Sequence, residues 1–348
     1  MKSSLHLFTL FLLLFSSCGA PPKDDYALYG EAQGTTYSIK YWGDNLANYQ
    51  YGIDSLLREL DSSLSTYMPG SIISRVNEQD SAAVDDFFVT VFTRSIEINE
   101  LTEGAFDPSV MPLVQAWGFG PNKAPEIDTS KVDSLRALVG LSQFGISSST
   151  WLNSQNEKVA INYLIKAKKE IQLDFNAIAQ GYSVDVLTAY LDSKQVNNYL
   201  VEVGGEVRAK GENAKENWWL IGIDKPEDHV KRRPLQAKLA LQNTAMATSG
   251  SYRKFYELNG TKYSHTIDPA TGYPVKHALL SVTVLAEDCM SADAYATAFM
   301  VMGLKKSRLF LSQHPDLGLE AYFIYSNEEG KRLTQATAGL SELLEEDL

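Results

Sequence analysis

Chemistry in this chain concentrates around one histidine. The stretch Tyr263-Ser264-His265-Thr266-Ile267-Asp268-Pro269-Ala270-Thr271-Gly272-Tyr273-Pro274 sets an imidazole between a hydroxyl and an Asp-Pro turn, in a chain with only five histidines. One strand and one turn further on comes a second polar cluster, Ser291-Ala292-Asp293 with Thr297. Together they read as a reaction centre. Pro269 presets φ and Gly272 permits unusual φ, so the intervening turn can hold the histidine in a fixed place. The same residues also fit a turn-capping aspartate beside a half-buried histidine, and residue types alone leave both readings open.

The amino terminus bears on where this chemistry takes place. Lys2 and His6 precede an apolar run from Leu7 to Phe15, followed by Ser16-Ser17-Cys18-Gly19-Ala20. A spanning helix needs about 20 apolar residues, so this run reads as a secretory signal. Small residues before a cysteine, with Pro21-Pro22-Lys23-Asp24-Asp25 after it, resemble a bacterial lipoprotein signal in which Cys18 becomes the lipidated first residue. Phe15 departs from the small aliphatic residue usual there. The expected layout is a signal peptide at 1–17, the lipidated cysteine and a linker at 18–25, a catalytic domain at 26–333 and an acidic tail at 334–348. The implied product is exported and lipid-anchored to a bacterial membrane, facing the periplasm or the exterior. With Cys18 lipidated, Cys289 is the only remaining thiol of the two cysteines and no internal disulfide can form. A 44% hydrophobic, 11% aromatic chain has ample material for a core, and a formal charge of −12 argues against nucleic acid or anionic lipid as partner.

Elements that could position these residues follow from periodicity. Tyr37, Ile39 and Tyr41 alternate as in a strand, and Ile53, Leu56, Leu57, Leu60 and Leu64 recur at helical spacing. Val84, Phe88, Val91 and Phe92 predict a helix that stops near Gly104. Val159, Ile161 and Tyr163, then Ile171, Leu173 and Phe175, predict a hairpin feeding a helix from Ala177 to Leu191 with Tyr182, Val186 and Tyr190 inward. Further strands are expected at 199–203, 219–223, 239–241, 281–285 and 320–325. Such interleaving predicts an α+β architecture built on a mixed sheet. The turn Asp174 to Gly181 should end a strand and open a helix, aiming free backbone N–H groups at a ligand in a way that suits phosphate. It is neither a Walker loop nor a Gly-x-Gly-x-x-Gly fingerprint. Val203-Gly204-Gly205-Glu206-Val207 reads as a tight strand turn.

Taken in order, these motifs resemble the ApbE family of flavin transferases over nearly the whole mature chain. The matching pieces are Gln33-Gly34-Thr35-Thr36-Tyr37; Ser65-Thr66-Tyr67 with Ser71, Ile72, Ser74, Arg75 and Asn77; Gly104-Ala105-Phe106-Asp107-Pro108-Ser109 with Pro112, Leu113 and Trp117-Gly118-Phe119; the Asp174–Gly181 turn; Gly204-Gly205-Glu206; Ala247-Thr248-Ser249-Gly250-Ser251-Tyr252; the His265 segment; and Ser291 to Ala298. The resemblance implies a two-lobed α+β protein with FAD in its cleft. Such a protein moves the FMN half of FAD onto a Thr or Ser of an acceptor protein, releases AMP and requires magnesium.

That chemistry needs a divalent ion, a base and in-line positioning. Asp293 and Thr297, four apart on a helix, supply hard oxygens of the type Mg2+ prefers, and the resemblance adds the backbone carbonyl of Ala177. His265 is the expected base, because an unperturbed imidazole titrates near neutrality. By the same resemblance Tyr67 and Phe106 contact the flavin ring, while Gln33, Ala105, Asp107, Asp174, Gln180 and Leu280 complete the FAD contacts. Gln180 stands where the family often has lysine, and Ala296 where some members have a second acid. The natural acceptors are membrane redox subunits. A FAD-binding lipoprotein, or a pyrophosphatase giving FMN and AMP, would use the same cleft.

Overall fold

The computed structural model describes residues 23–120, 129–152, 155, 158–226, 234–251, 255–258 and 261–345. The signal sequence and Cys18 therefore lie outside the described residues. In chain order the first elements are β1 (Asp24–Ala32), β2 (Thr35–Gly43), α1 (Gln50–Leu64), α2 (Ile72–Glu78), β3 (Ser81–Val84), α3 (Asp86–Leu101), α4 (Met111–Ala116) and α5 (Val132–Arg136). The middle of the chain forms β4 (Phe144–Leu152), β5 (Lys158–Lys166), α6 (Ala179–Ser193), β6 (Asn198–Val203), β7 (Glu206–Lys210), β8 (Trp219–Asp224) and β9 (Leu235–Leu241). Then come β10 (Thr244–Gly250), β11 (Phe255–Leu258), β12 (Thr261–Ser264), β13 (Leu279–Ala286), α7 (Cys289–Gln313), β14 (Glu320–Ser326), β15 (Arg332–Ala336), α8 (Ala338–Ser341) and β16 (Leu344–Glu345).

The α+β class expected from the sequence is the class observed. The main sheet has eight strands in the order β1-β2-β6-β7-β10-β13-β14-β15, and three-stranded sheets β16-β9-β8 and β3-β5-β4 accompany it. Among the described residues every ladder is antiparallel, so the expected mixed sheet does not form; tight turns join neighbours such as β1–β2 and β6–β7. Both faces of the main sheet are covered. On one, Tyr37, Ile39 and Val201 pack with Leu57 of α1 and Leu187 of α6, and Val282 and Val284 pack with Phe299 of α7. On the other, Trp42, Val207, Met246 and Leu285 meet Trp219 and Leu239 of the β8–β9 sheet. β13 consequently reads as an almost unbroken apolar run, as a strand buried on both sides must.

Local chemistry sets the boundaries that matter for the site. Val84 belongs to β3, not to the helix predicted there: Asp85 is extended and its carboxylate accepts from Phe88 N at 2.9 Å, so the helix begins after it. The predicted hairpin of 159–163 with 171–175 does not form. β5 is instead the central strand between β3 and β4, and Ile171, Leu173 and Phe175, all fully buried, run outside any ladder. Burial of one side of an extended segment, with Gln172 and Asp174 half-buried on the other, produces their alternation without strand pairing. In α6 the buried residues are Gly181, Ser183, Val184, Leu187, Thr188 and Leu191, whereas Tyr182, Val186 and Tyr190 are only half-buried, because the helix is wedged between two cores. Of the stretch expected to be an acidic tail, residues 334–345 carry structure: β15 crosses the 333/334 boundary, and β16 pairs with β9. Likewise β1 begins at Asp24, inside the expected linker.

Candidate active site

Segments from across the chain converge on one cleft with a cavity volume of about 410 Å³, a size suited to a cofactor-sized ligand. The β1–β2 hairpin closes through Gln33 and Gly34, both at positive φ (54° and 70°), the geometry of a two-residue turn that matches strand twist. That turn delivers Gln33 to the cleft. Tyr67 arrives on the connection between α1 and α2, and Ala105, Phe106 and Asp107 on the loop after α3. Asp174, Ala177 and Gln180 come from the turn into α6, His265 from the segment after β12, and Asp293 and Thr297 from α7. Leu280 alone among the expected residues is not part of the lining; it sits at a β-bulge in β13 and its carbonyl accepts from Ser251 N at 3.0 Å. The bulge breaks the alternation that would otherwise assign its face.

His265 is half-buried, with its ring edge-on to Phe119 at 6.3 Å between centroids. The loop that carries it is tied down on one side. Asp268 N and Gly272 N bond to Tyr273 O and Asp268 O at 2.9 and 2.8 Å, and Trp117 Nε1 donates to Gly272 O at 2.8 Å. Gly272 has φ +78° and a Cβ there would lie 2.7 Å from Val132, so no other residue fits without displacement.

Asp293 is the unusual acid. It is only 6% exposed, and among the described residues its one hydrogen-bond partner is Gly181 N, which donates to Oδ2 at 3.1 Å. Among the described residues it joins no ion pair. Burial raises its pKa to about 7, offset in part by the Gly181 N–H and reinforced by the charge of Asp185. The helices α6 and α7 cap one another: Asp293 serves the first turn of α6, and Asp185 accepts from Cys289 N and Met290 N at 2.9 and 2.8 Å. Gly181 makes this possible, since a Cβ there would meet Cys289 O at 2.3 Å. One turn along α7, Thr297 Oγ1 lies 3.2 Å from Ser249 Oγ of β10.

Asp107 and Asp174 each have a local structural task as well. Asp107 Oδ1 accepts from Ser109 N and Oγ at 2.8 and 2.5 Å, and burial still pushes its pKa up. Asp174 Oδ1 accepts from Asn176 N at 2.9 Å, shaping the turn into α6. Phe106 is 2% exposed and its ring belongs to the main core, so the open aromatic face at the cleft mouth is that of Tyr67, 58% exposed. Partial burial and the charge of Asp174 push the Tyr67 phenol up.

A sequence profile of the ApbE family matches residues 33–323. The chain belongs to the ApbE family. Curated ApbE-type relatives carry the name FAD:protein FMN transferase: one from Vibrio cholerae serotype O1 is 40% identical over 301 residues, covering 84% of this chain and 85% of the relative, and one from Haemophilus influenzae is 34% identical over 330 residues, covering 92% and 91%. Among solved structures, the flavin transferase ApbE from Vibrio cholerae superposes with a TM-score of 0.80 at 35% identity, covering 92% of this chain and 100% of that one. The ApbE protein of Thermotoga maritima gives 0.75 at 25% identity, covering 92% and 99%.

Two observations bear on what this ApbE cleft can hold. A buried carboxylate with no cation, beside a hydroxyl one helical turn away and a wall containing Ala177, is an oxygen donor set suited to a hard divalent ion that also takes substrate oxygens. Gln33, also in the lining, donates through Nε2 to Ser183 Oγ of α6 at 2.6 Å, while its Oε1 is buried without a partner among the described residues. Sequence reasoning missed Ser249, Asn176, Thr266 and Phe119 as lining residues; the small polar run Ala247–Ser251 in a buried strand was the available signal for the first.

Proposed function

We propose that this chain is a FAD:protein FMN transferase, which moves the FMN moiety of FAD onto a Thr or Ser hydroxyl of an acceptor protein with release of AMP. The observation that carries the reading is the meeting of His265 and the cation-less buried carboxylate of Asp293 in one cleft of cofactor size. A binder gains nothing from burying an acid whose ionisation burial opposes, whereas a metal-assisted transferase does. Family membership and the shared name of the relatives support the same reading.

In this account Asp293, Thr297 and the Ala177 carbonyl hold Mg2+, which when bound supplies Lewis-acid neutralisation of phosphate charge. His265 takes the proton of the acceptor hydroxyl as its oxygen forms a bond to the FMN phosphorus. The bond from that phosphorus to the bridging oxygen breaks, and AMP leaves with that oxygen. Tyr67 stacks on the flavin, Gln33 contributes to the wall against FAD, and the first turn of α6 faces the pyrophosphate. With an uncharged Gln180 at this turn, that helix end supplies the positive potential near the phosphates. We place the protein on a bacterial membrane through lipidated Cys18, facing the periplasm or the exterior, beside acceptors that are membrane redox subunits. No helix among the described residues is long and apolar enough to cross a membrane. Incubation with FAD, Mg2+ and an acceptor should add one FMN to the acceptor and release AMP in equal amount. FMN and AMP without acceptor modification would establish hydrolysis instead, and bound FAD without turnover a binding lipoprotein.

A further inference from the structure

Resting on the flavin-transferase reading, we infer that Asn77, backed by Lys166, is a positioning residue that fixes the height of the Asp174–Ala177 turn in the cleft. The turn enters from residues 171–175, which belong to no strand or helix, although Ile171, Leu173 and Phe175 are fully buried. Buried backbone outside a ladder must find other partners. Asn77 of α2 provides them: its Nδ2 donates to Leu173 O at 2.8 Å and its Oδ1 accepts from Leu173 N at 2.7 Å. One side chain thus replaces a neighbouring strand at the residue immediately before Asp174.

Asn77 is itself held. Lys166, 7% exposed, donates through Nζ to Asn77 O, Lys169 O and Ile171 O at 3.0, 2.9 and 3.1 Å. All three donor protons of that ammonium are used. Asp174 N adds a bond to Pro108 O at 2.7 Å, tying the turn to the wall that carries Asp107. Neither Asn77 nor Lys166 lines the cleft. Their effect reaches the ligands only through the position of Asp174 and Ala177.

The variants are Asn77→Ala and the isosteric Asn77→Asp, which keeps the acceptor for Leu173 N and turns a carboxylate oxygen towards Leu173 O. Three readouts are compared well below each variant's melting temperature: hydrogen exchange at the Leu173 amide, FAD affinity by flavin fluorescence, and flavinylation rate against Mg2+ and against acceptor. Loss of an outer support of this kind should raise the half-saturating Mg2+ and weaken FAD binding about tenfold or more, leave the KM for acceptor unchanged and deprotect Leu173, with Asn77→Asp shifted in the same direction. A purely structural residue would lower the melting temperature while FAD affinity and half-saturating Mg2+ stayed at wild-type values, and that result in either variant overturns the inference. Should the wild type neither modify a hydroxyl nor release AMP, the functional reading falls, while FAD affinity and Leu173 exchange still decide whether Asn77 sets the turn.

Discussion

Asp293→Asn should make the metal-free protein more stable and the enzyme inactive. The Asp293 carboxyl has its pKa raised from 3.8 to about 7 by burial. A group that binds its proton more tightly in the folded state costs stability as the pH climbs from the unfolded pKa through the folded one. At 1.36 kcal/mol per pH unit the cost is about 2 kcal/mol near pH 5 and reaches about 4 kcal/mol near pH 8. Asparagine removes it, yet its Oδ1 can still accept from Gly181 N, so the bond that caps α6 survives. Metal-free Asp293→Asn should therefore melt higher than wild type by roughly 8 °C near pH 8, at about 2 °C per kcal/mol for a chain of this size, and the gap should narrow towards pH 5. Mg2+ should raise the melting temperature of the wild type and not that of the variant, since only the former has a site to fill. Thermal unfolding by circular dichroism with EDTA or Mg2+ reads all of this. A gap independent of pH, or equal stabilisation of both proteins by Mg2+, would refute the reasoning.

Other expectations follow from the same geometry. His265→Ala should keep FAD affinity by flavin fluorescence while flavin transfer falls by about 10²- to 10⁴-fold, the usual worth of a general base. Gly181→Ala should destabilise strongly in thermal melts, because its Cβ would press on Cys289 O at 2.3 Å and Asp293 Cβ at 2.8 Å, backbone and site together. Cys18→Ala should leave the precursor unprocessed or release the protein from membranes on fractionation; a wild type found wholly soluble would remove the anchor.

The parts of the site legible in the sequence were those carried by short local motifs of chemically distinctive residues. His265, Asp293 and Thr297 stood out because each sits within a few residues of a turn or helix start, and the structure brings them into one cleft. Asn77 was visible only as a motif residue, since its partner Leu173 is 96 residues away in sequence. Periodicity misread 171–175 as a strand because deep burial and strand pairing leave the same apolar alternation. Composition misread the carboxy terminus. Its acidic residues concealed Leu340, Leu343 and Leu344, which pack onto the β8–β9 sheet. The extent of β1 and the bulge at Leu280 depend on neighbours distant in sequence and had no local signature.

The most direct test of the central claim is the intact mass of an acceptor protein after incubation with wild-type enzyme, FAD and Mg2+, with AMP measured in the same reaction. The account predicts that the acceptor gains one FMN phosphoester on a Thr or Ser, that AMP appears in equal amount, and that Asp293→Asn and His265→Ala abolish or severely slow both. An unmodified acceptor in the presence of bound FAD, or unchanged transfer by either variant, would contradict it.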